Sequence, residues 1–236
     1  LFRSIRFGMK ESPVFYRYKQ RASVKNTFLQ LKKHYKLTIY LIVLLTAMSF
    51  VSHGTQDLYP TFLKTSLNFS PNTITAIAIS YNIAAIFGGI IAGVISQKTK
   101  LGRKWTAVSF ALAGVVISPL WAFPQIFGQS MALEVAFIAP VLMQFVVQGV
   151  WAMPGVYMNE RSPAEARATI PGLAYMAGIA IASTASTIQV LMVGYFHGNY
   201  SYSLFTLAVI VLLGTSLLWS LGKESKNSNL DVEKTG

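Results

Sequence analysis

Six stretches of this chain, each close to 20 residues long and almost without charge, limit its fold more than any other feature. They are Leu37–Gln56, Asn72–Ser96, Trp105–Phe123, Leu133–Met158, Thr169–Val193 and Tyr202–Leu221, and Glu134 is the one ionised side chain inside them. A helix of about 20 apolar residues crosses the hydrocarbon core of a bilayer. The alternative, a bundle of buried helices in a soluble protein, is hard to reconcile with six such segments in 236 residues. Only 12% of the chain is charged, against roughly 25% in soluble domains. The composition therefore points to an all-α membrane protein and away from a soluble enzyme. The net charge of +12 does not argue for nucleic acid, because its lysines and arginines sit between apolar spans and not across a polar surface.

The connecting segments orient the spans. Nineteen of the twenty Lys and Arg fall on one side, and Lys64 alone falls on the other. By the positive-inside rule both ends of the segment face the cytoplasm. Residues 1–36 read as a basic cytoplasmic loop, 37–222 as the membrane unit and 223–236 as a cytoplasmic tail. Within the loop, Val24, Phe28, Leu31 and Tyr35 recur at helical spacing beside Lys25, Lys32, Lys33 and Lys36. That pattern fits an amphipathic helix on the membrane surface as well as a solvated basic linker. The loop lacks the short apolar core of a signal peptide. The chain opens on Leu1 and not on Met, so we expect a piece of a longer protein. Sequons at Asn68 and Asn199 lie in short outer loops, where we expect no glycan.

Polar side chains inside a bilayer are costly, so their positions are informative. The most polar membrane segment runs from Ser49 through Ser52, His53, Thr55, Gln56 and Asp57 to Thr61. At about 100° per residue, Ser49, His53, Gln56 and Asp57 share a face, and His53 and Asp57 are one turn apart. An imidazole beside a carboxylate can exchange a proton near neutral pH. The same residues would also mark a helix that simply leaves the membrane for water. Asn82, Gln144 and Gln148 (with Trp151 one turn on), and Ser183, Thr187 and Gln189, could contact a small polar solute or serve as interhelical hydrogen bonds. Glu134 opens the fourth span on the outer side, and Gly89 and Gly93 form a small-xxx-small packing face.

Several chemistries find no support. There is no phosphate-binding G-x-x-x-x-G-K-[ST] loop, no H-E-x-x-H pair and no G-x-S-x-G elbow. The chain has no cysteine, and its three histidines are far apart, so no thiolate or histidine-rich metal site is expected. We expect neither an enzyme nor a cofactor.

Two loops resemble known signatures. Gly93 through Lys104, ending Gly102-Arg103-Lys104, is similar to the G-x-x-x-D-R-x-G-R-[KR] loop of major facilitator transporters, with Gln97 in place of the usual Asp. Trp151, Pro154, Tyr157, Glu160, Pro163 and Arg167 resemble the signature at the cytoplasmic end of that superfamily's tenth helix. The resemblance implies a cytoplasmic gate of Gly102, Arg103, Lys104, Glu160 and Arg167, with Glu160 and Arg167 as a latch. More narrowly, Ser52-His53-Gly54-Thr55-Gln56-Asp57 with Thr61 resembles the N-x-x-[ST]-H-x-[ST]-Q-D-x-x-x-T motif of fungal Jen-type carboxylate–proton symporters, with Ser49 replacing the leading Asn. That motif lies in the seventh of twelve helices, so the resemblance makes this chain the carboxyl-terminal half of a twelve-helix fold.

What the resemblance implies is a secondary active transporter that imports lactate or pyruvate with protons, in the plasma membrane. His53 and Asp57 would couple the proton, while Thr55, Gln56 and Thr61 shape the substrate path; Ser49, Ser52, Asn82, Gln144 and Gln148 join that path as polar residues of the spans. No Lys or Arg lies within the spans, so an arginine of the missing amino-terminal half is expected to hold the substrate carboxylate. The expected partners are that half, a small carboxylate, protons and the bilayer, and not nucleic acid. A sugar or other metabolite as cargo, and a non-transporting sensor on the same scaffold, stand as alternatives.

Overall fold

The computed structural model describes residues 24–226. The expectations that rest on residues 1–23 and on the end of the tail lie outside it. The described elements are α1 (Val24–Lys33), α2 (Tyr35–Gln56), α3 (Tyr59–Thr65), α4 (Pro71–Lys98), α5 (Gly102–Ala122), α6 (Gln129–Trp151), α7 (Pro154–Arg161), α8 (Thr169–Ala182), α9 (Ala185–Tyr195) and α10 (Tyr200–Leu221). Short 3-10 turns at Pro124–Phe127 and Ala164–Ala166 complete the order. They build six helical segments long and apolar enough to cross a membrane: α2 with α3, α4, α5, α6 with α7, α8 with α9, and α10.

Three of the six are interrupted, and the interruptions have local causes. The expected first span ends at Gln56, yet the chain stays helical through α3 to Thr65. Pro60 has no amide to donate to the Gln56 carbonyl four residues back, and α2 ends there. The fourth span, expected to be continuous, breaks between Trp151 and Pro154, because Pro154 offers no amide to Val150. The fifth breaks at Ser183 and Thr184 without a proline. Their hydroxyls bond back to the carbonyls of Ala180 and Ile181 at 2.8 Å each, competing with the helix ladder.

Helix starts are specified in the ordinary way. Ser70 caps α4 by accepting the Thr73 amide at 3.2 Å, with Pro71 in the first turn, and the Asn199 side chain caps α10 through the Tyr202 amide at 3.3 Å.

In the bundle α4 packs on α6, α5 on α6 and α10, and α2 on α8 and α10. Small residues allow the close approaches. A Cβ on Gly88 would collide with the Phe145 backbone, and one on Gly178 would stand 2.8 Å from the Leu45 Cβ. The glycine face expected at Gly89 and Gly93 is displaced by one residue: Gly89 approaches α6 only at the Gln148 carbonyl, and nothing lies near Gly93. The apolar stripe expected in α1 is likewise divided. Phe28 is 71% exposed, whereas Leu31 is half-buried against the core. One face of α4, with Ile79, Ile83, Ile86, Phe87 and Ile90, is exposed along its length.

Candidate functional site

The C-terminal end of α2 gathers the first cluster. His53 Nδ1 stands 3.0 Å from Asp57 Oδ2, and both side chains are more than a third exposed, on an open side of the bundle. Ser186, in the first turn of α9, donates its hydroxyl to the same Oδ2 at 2.7 Å. Tyr81 of α4 lies within electrostatic reach of Asp57. A carboxylate that accepts two donors on one oxygen is held in place. Ser186 was not among the candidate residues. Its place depends on the α8–α9 break, which carries no sequence signature as plain as a proline.

A second, drier cluster lies alongside. Gln56 Nε2 donates to Gln144 Oε1 at 2.7 Å, and Gln144 Nε2 reaches the Thr55 carbonyl and hydroxyl at 3.3 and 3.2 Å. Gln189, fully buried, donates to the Gly54 carbonyl at 2.7 Å. The last carbonyls of a helix lack intrahelical partners. Two glutamines, from α6 and α9, thus cap α2 from outside it. Below them Tyr59 stacks on Trp121, with ring centroids 5.1 Å apart.

The remaining candidates are distributed differently. Thr55 spends its proton on the Val51 and Ser52 carbonyls, at 2.8 and 3.2 Å. Ser49 is buried, its hydroxyl without a hydrogen-bond partner among the described residues. Ser52 is half-buried on α2, and Thr61 is exposed on α3. Asn82 is exposed and donates to its own helix at the Ala78 carbonyl, 2.7 Å away. Gln148 is half-buried near the far end of α6, apart from the Gln144 cluster. Ser183 and Thr187 are exposed, and so is Glu134.

At the opposite end of the bundle, charged groups meet. Arg103 is 8% exposed and donates to Glu160 at 3.1 and 3.4 Å, to Ser96 at 2.8 Å and to Gln97 at 2.6 Å. Gln97, standing where the resembling loop has Asp, therefore still accepts from this arginine. The resemblance implied a latch between Glu160 and Arg167. The ion pair described for Glu160 is with Arg103, and Arg167 Nε, though buried, has no hydrogen-bond partner among the described residues.

Glu224, from the tail, joins this end and was not anticipated. Burial pushes its carboxyl up, but the amides of Lys226, Arg103, Ser225 and Lys104 outweigh that effect and hold it below its ordinary value. Among the described residues no three His, Asp or Glu side chains come together to hold a metal.

An all-helical bundle of six bilayer-length segments, with a polar cluster in its interior and an ion-paired network at one end, defines a multi-pass integral membrane protein of the transporter type. The chain belongs to the Major Facilitator Superfamily, whose profile matches residues 39–235. It is 34% identical over 174 residues to a protein of Saccharomyces cerevisiae named "Carboxylic acid transporter protein homolog", a match covering 73% of this chain and 26% of that relative. It is 28% identical over 182 residues to the "Glycerol-3-phosphate transporter" of Bacillus subtilis, covering 75% of this chain and 40% of that one. The chain thus spans well under half the length of either relative. No solved structure matches it.

Proposed function

We propose that the complete protein imports small monocarboxylates, lactate and pyruvate among them, together with protons by alternating access. In this reading the chain supplies the carboxyl-terminal six helices, with both ends of the segment in the cytoplasm of a plasma-membrane protein. The observation that carries it is the His53–Asp57–Ser186 cluster on the open side of the bundle. Proton entry there turns the imidazole into a cation or neutralises Asp57. Either change alters the charge that an incoming carboxylate meets. A lone carboxylate is expensive to strip of water, so it enters only with a compensating proton or a donor-rich partner. Gln56, Gln144, Thr55, Ser49, Ser52, Thr61, Asn82 and Gln148 are the polar side chains along the path in this reading. An arginine from the amino-terminal half would hold the anion. The inner gate comprises Gly102, Arg103, Lys104, Glu160 and Arg167, with Glu160 changing partners as the halves rock. One relative is named as a homologue of a carboxylic acid transporter and the other as a transporter of glycerol 3-phosphate; both of those compounds are anions near neutral pH, which supports an anionic cargo here.

The test uses the full-length protein in cells without their own carboxylate carriers. Lactate added to a weakly buffered suspension should raise external pH with the parent and leave it unchanged with Asp57→Asn at equal surface expression. Alkalinisation that survives in the variant moves the proton site elsewhere. No pH change with lactate, pyruvate or succinate sinks the carboxylate reading and turns the search to sugars.

A further inference from the structure

The fifth long segment is built from two pieces, and each is fixed to a different part of α2. α8 is held at the middle of α2, where an added Cβ on Gly178 would stand 2.8 Å from the Leu45 Cβ. α9 is held at the end of α2 by two side chains about one turn apart. Gln189, fully buried, donates to the Gly54 carbonyl at 2.7 Å, and Ser186 donates to Asp57 Oδ2 at 2.7 Å. The Gln189 carbonyl in turn accepts the Ser203 hydroxyl of α10 at 2.8 Å.

The two anchors of α9 differ in kind. The Gln189 bond joins neutral groups in a dry place and does not respond to protons. The Ser186 bond ends on a carboxylate that is more than a third exposed. A hydrogen bond to an ionised acceptor is roughly twice as strong as a neutral one, so this anchor weakens when Asp57 takes up a proton. Two anchors fix the direction of a short rod, and one leaves it free to turn.

The break between α8 and α9 can absorb that turning. The Ser183 hydroxyl occupies the Ala180 carbonyl, while the Thr184 hydroxyl and amide both reach the Ile181 carbonyl, at 2.8 and 3.3 Å. The buried positions on either side, Ala182 and Ala185, carry only methyl groups, so no bulky side chain locks the pieces together. Titratable groups face Asp57 from two elements, His53 on α2 at 3.0 Å and Tyr81 on α4. α9 offers it only the Ser186 hydroxyl, and α3 carries Tyr59, stacked on Trp121, and the exposed Lys64.

We infer that Ser186 is a positioning residue that carries the charge state of Asp57 into a bend of the fifth segment. With Asp57 ionised, Ser186 holds the first turn of α9 against the end of α2. With Asp57 protonated, α9 turns about Gln189 and the segment bends at Ser183 and Thr184. This deepens the reading of Asp57 as the proton site given above, and rests on it.

The bend is read as the distance between spin labels on Met176→Cys of α8 and Leu191→Cys of α9, each 69% exposed, in the full-length protein. This chain has no cysteine of its own, and any elsewhere in the protein is replaced. Both labels lie on one segment, so rocking of one half against the other leaves their distance unchanged. In the parent the distance should shift by several ångströms on acidification. Asp57→Asn, similar in shape and uncharged, should show the shifted distance at neutral pH and respond no further to acid. Ser186→Ala should do the same, and Ser186→Thr, which keeps the hydroxyl, should restore the parent's behaviour; a purely structural serine would not govern the response to acid. The parent's distance in Asp57→Asn or Ser186→Ala at neutral pH overturns the inference, and so does an acid response that survives in Ser186→Ala. An acid response absent from the parent overturns it without any variant at Asp57 or Ser186. No substrate is present, so an acid-driven bend in a protein that moves no carboxylate would sink the cargo reading and leave this one standing.

Discussion

At the scale of single residues, the two ends of the bundle use ionisable groups in different ways. At the end of α2 Asp57 is partly exposed and receives one donor from its own helix and one from α9. Ser186→Ala removes the bond that links α2 to α9. We expect it to slow the uptake proposed above about tenfold, the effect of roughly 1.4 kcal/mol from one hydrogen bond to a charged group, while surface expression holds. Uptake and alkalinisation rates at equal expression measure this, and an unaltered rate would make the hydroxyl a bystander. The pair of His53 and Asp57 was legible from its one-turn spacing. Ser186 was not, because nothing in a run of small and hydroxyl residues says which of them faces α2. Glu224 was equally hidden, since its partners at Arg103 and Lys104 lie more than a hundred residues earlier.

At the scale of elements, hydropathy alone gave the number and approximate limits of the spans, because bilayer thickness fixes the length of any helix that crosses it. The interruptions were harder to read. Pro60 and Pro154 were visible, but a proline need not end a helix, and Pro119 and Pro140 lie inside α5 and α6. The break at Ser183 and Thr184 depends on two hydroxyls turning back on their own helix, a choice that tertiary packing makes. Close packing was misplaced by one position, from Gly89 to Gly88, since a stretch with adjacent glycines does not say which one meets the neighbour. Gly88→Val should drive α4 from α6. We expect a loss of about 1–3 kcal/mol, typical of overpacking, seen as a lower melting temperature in detergent. Gly93→Val, with open space around it, should leave melting unchanged.

At the scale of the whole molecule, the tail contacts make a prediction about pH. The Glu224 carboxyl lies below its ordinary value of 4.5 because backbone amides favour its charged form. A group with a depressed value contributes fully above its ordinary value and loses its contribution as pH falls through the depressed one. The charged groups around it (Arg103, Lys104, Lys226 and Glu160) belong to the same network. The distance between spin labels on Thr99→Cys and Lys226→Cys, attached at neutral pH and read after equilibration at each pH, should therefore stay level from neutral pH down to the ordinary carboxylate range and lengthen only below it. Lengthening already at pH 6 would contradict that dependence on Glu224. Net charge and the sidedness of Lys and Arg were legible from composition and loop positions. The three-way closure of one end by a turn, α7 and the tail could not be, because it exists only once the helices are packed.

The outside capping of α2 has one more consequence. Gln144 and Gln189 recognise the carbonyls of Thr55 and Gly54, atoms that every residue type presents identically. At Gly54 that recognition is blind to the residue, which is limited mainly by the Leu207 side chain, 3.2 Å from where a Cβ would sit, whereas at Thr55 the same Gln144 amide also meets the hydroxyl, at 3.2 Å. The information that keeps the tip of α2 in place is therefore stored on α6 and α9, in two amides that no substitution within α2 can replace.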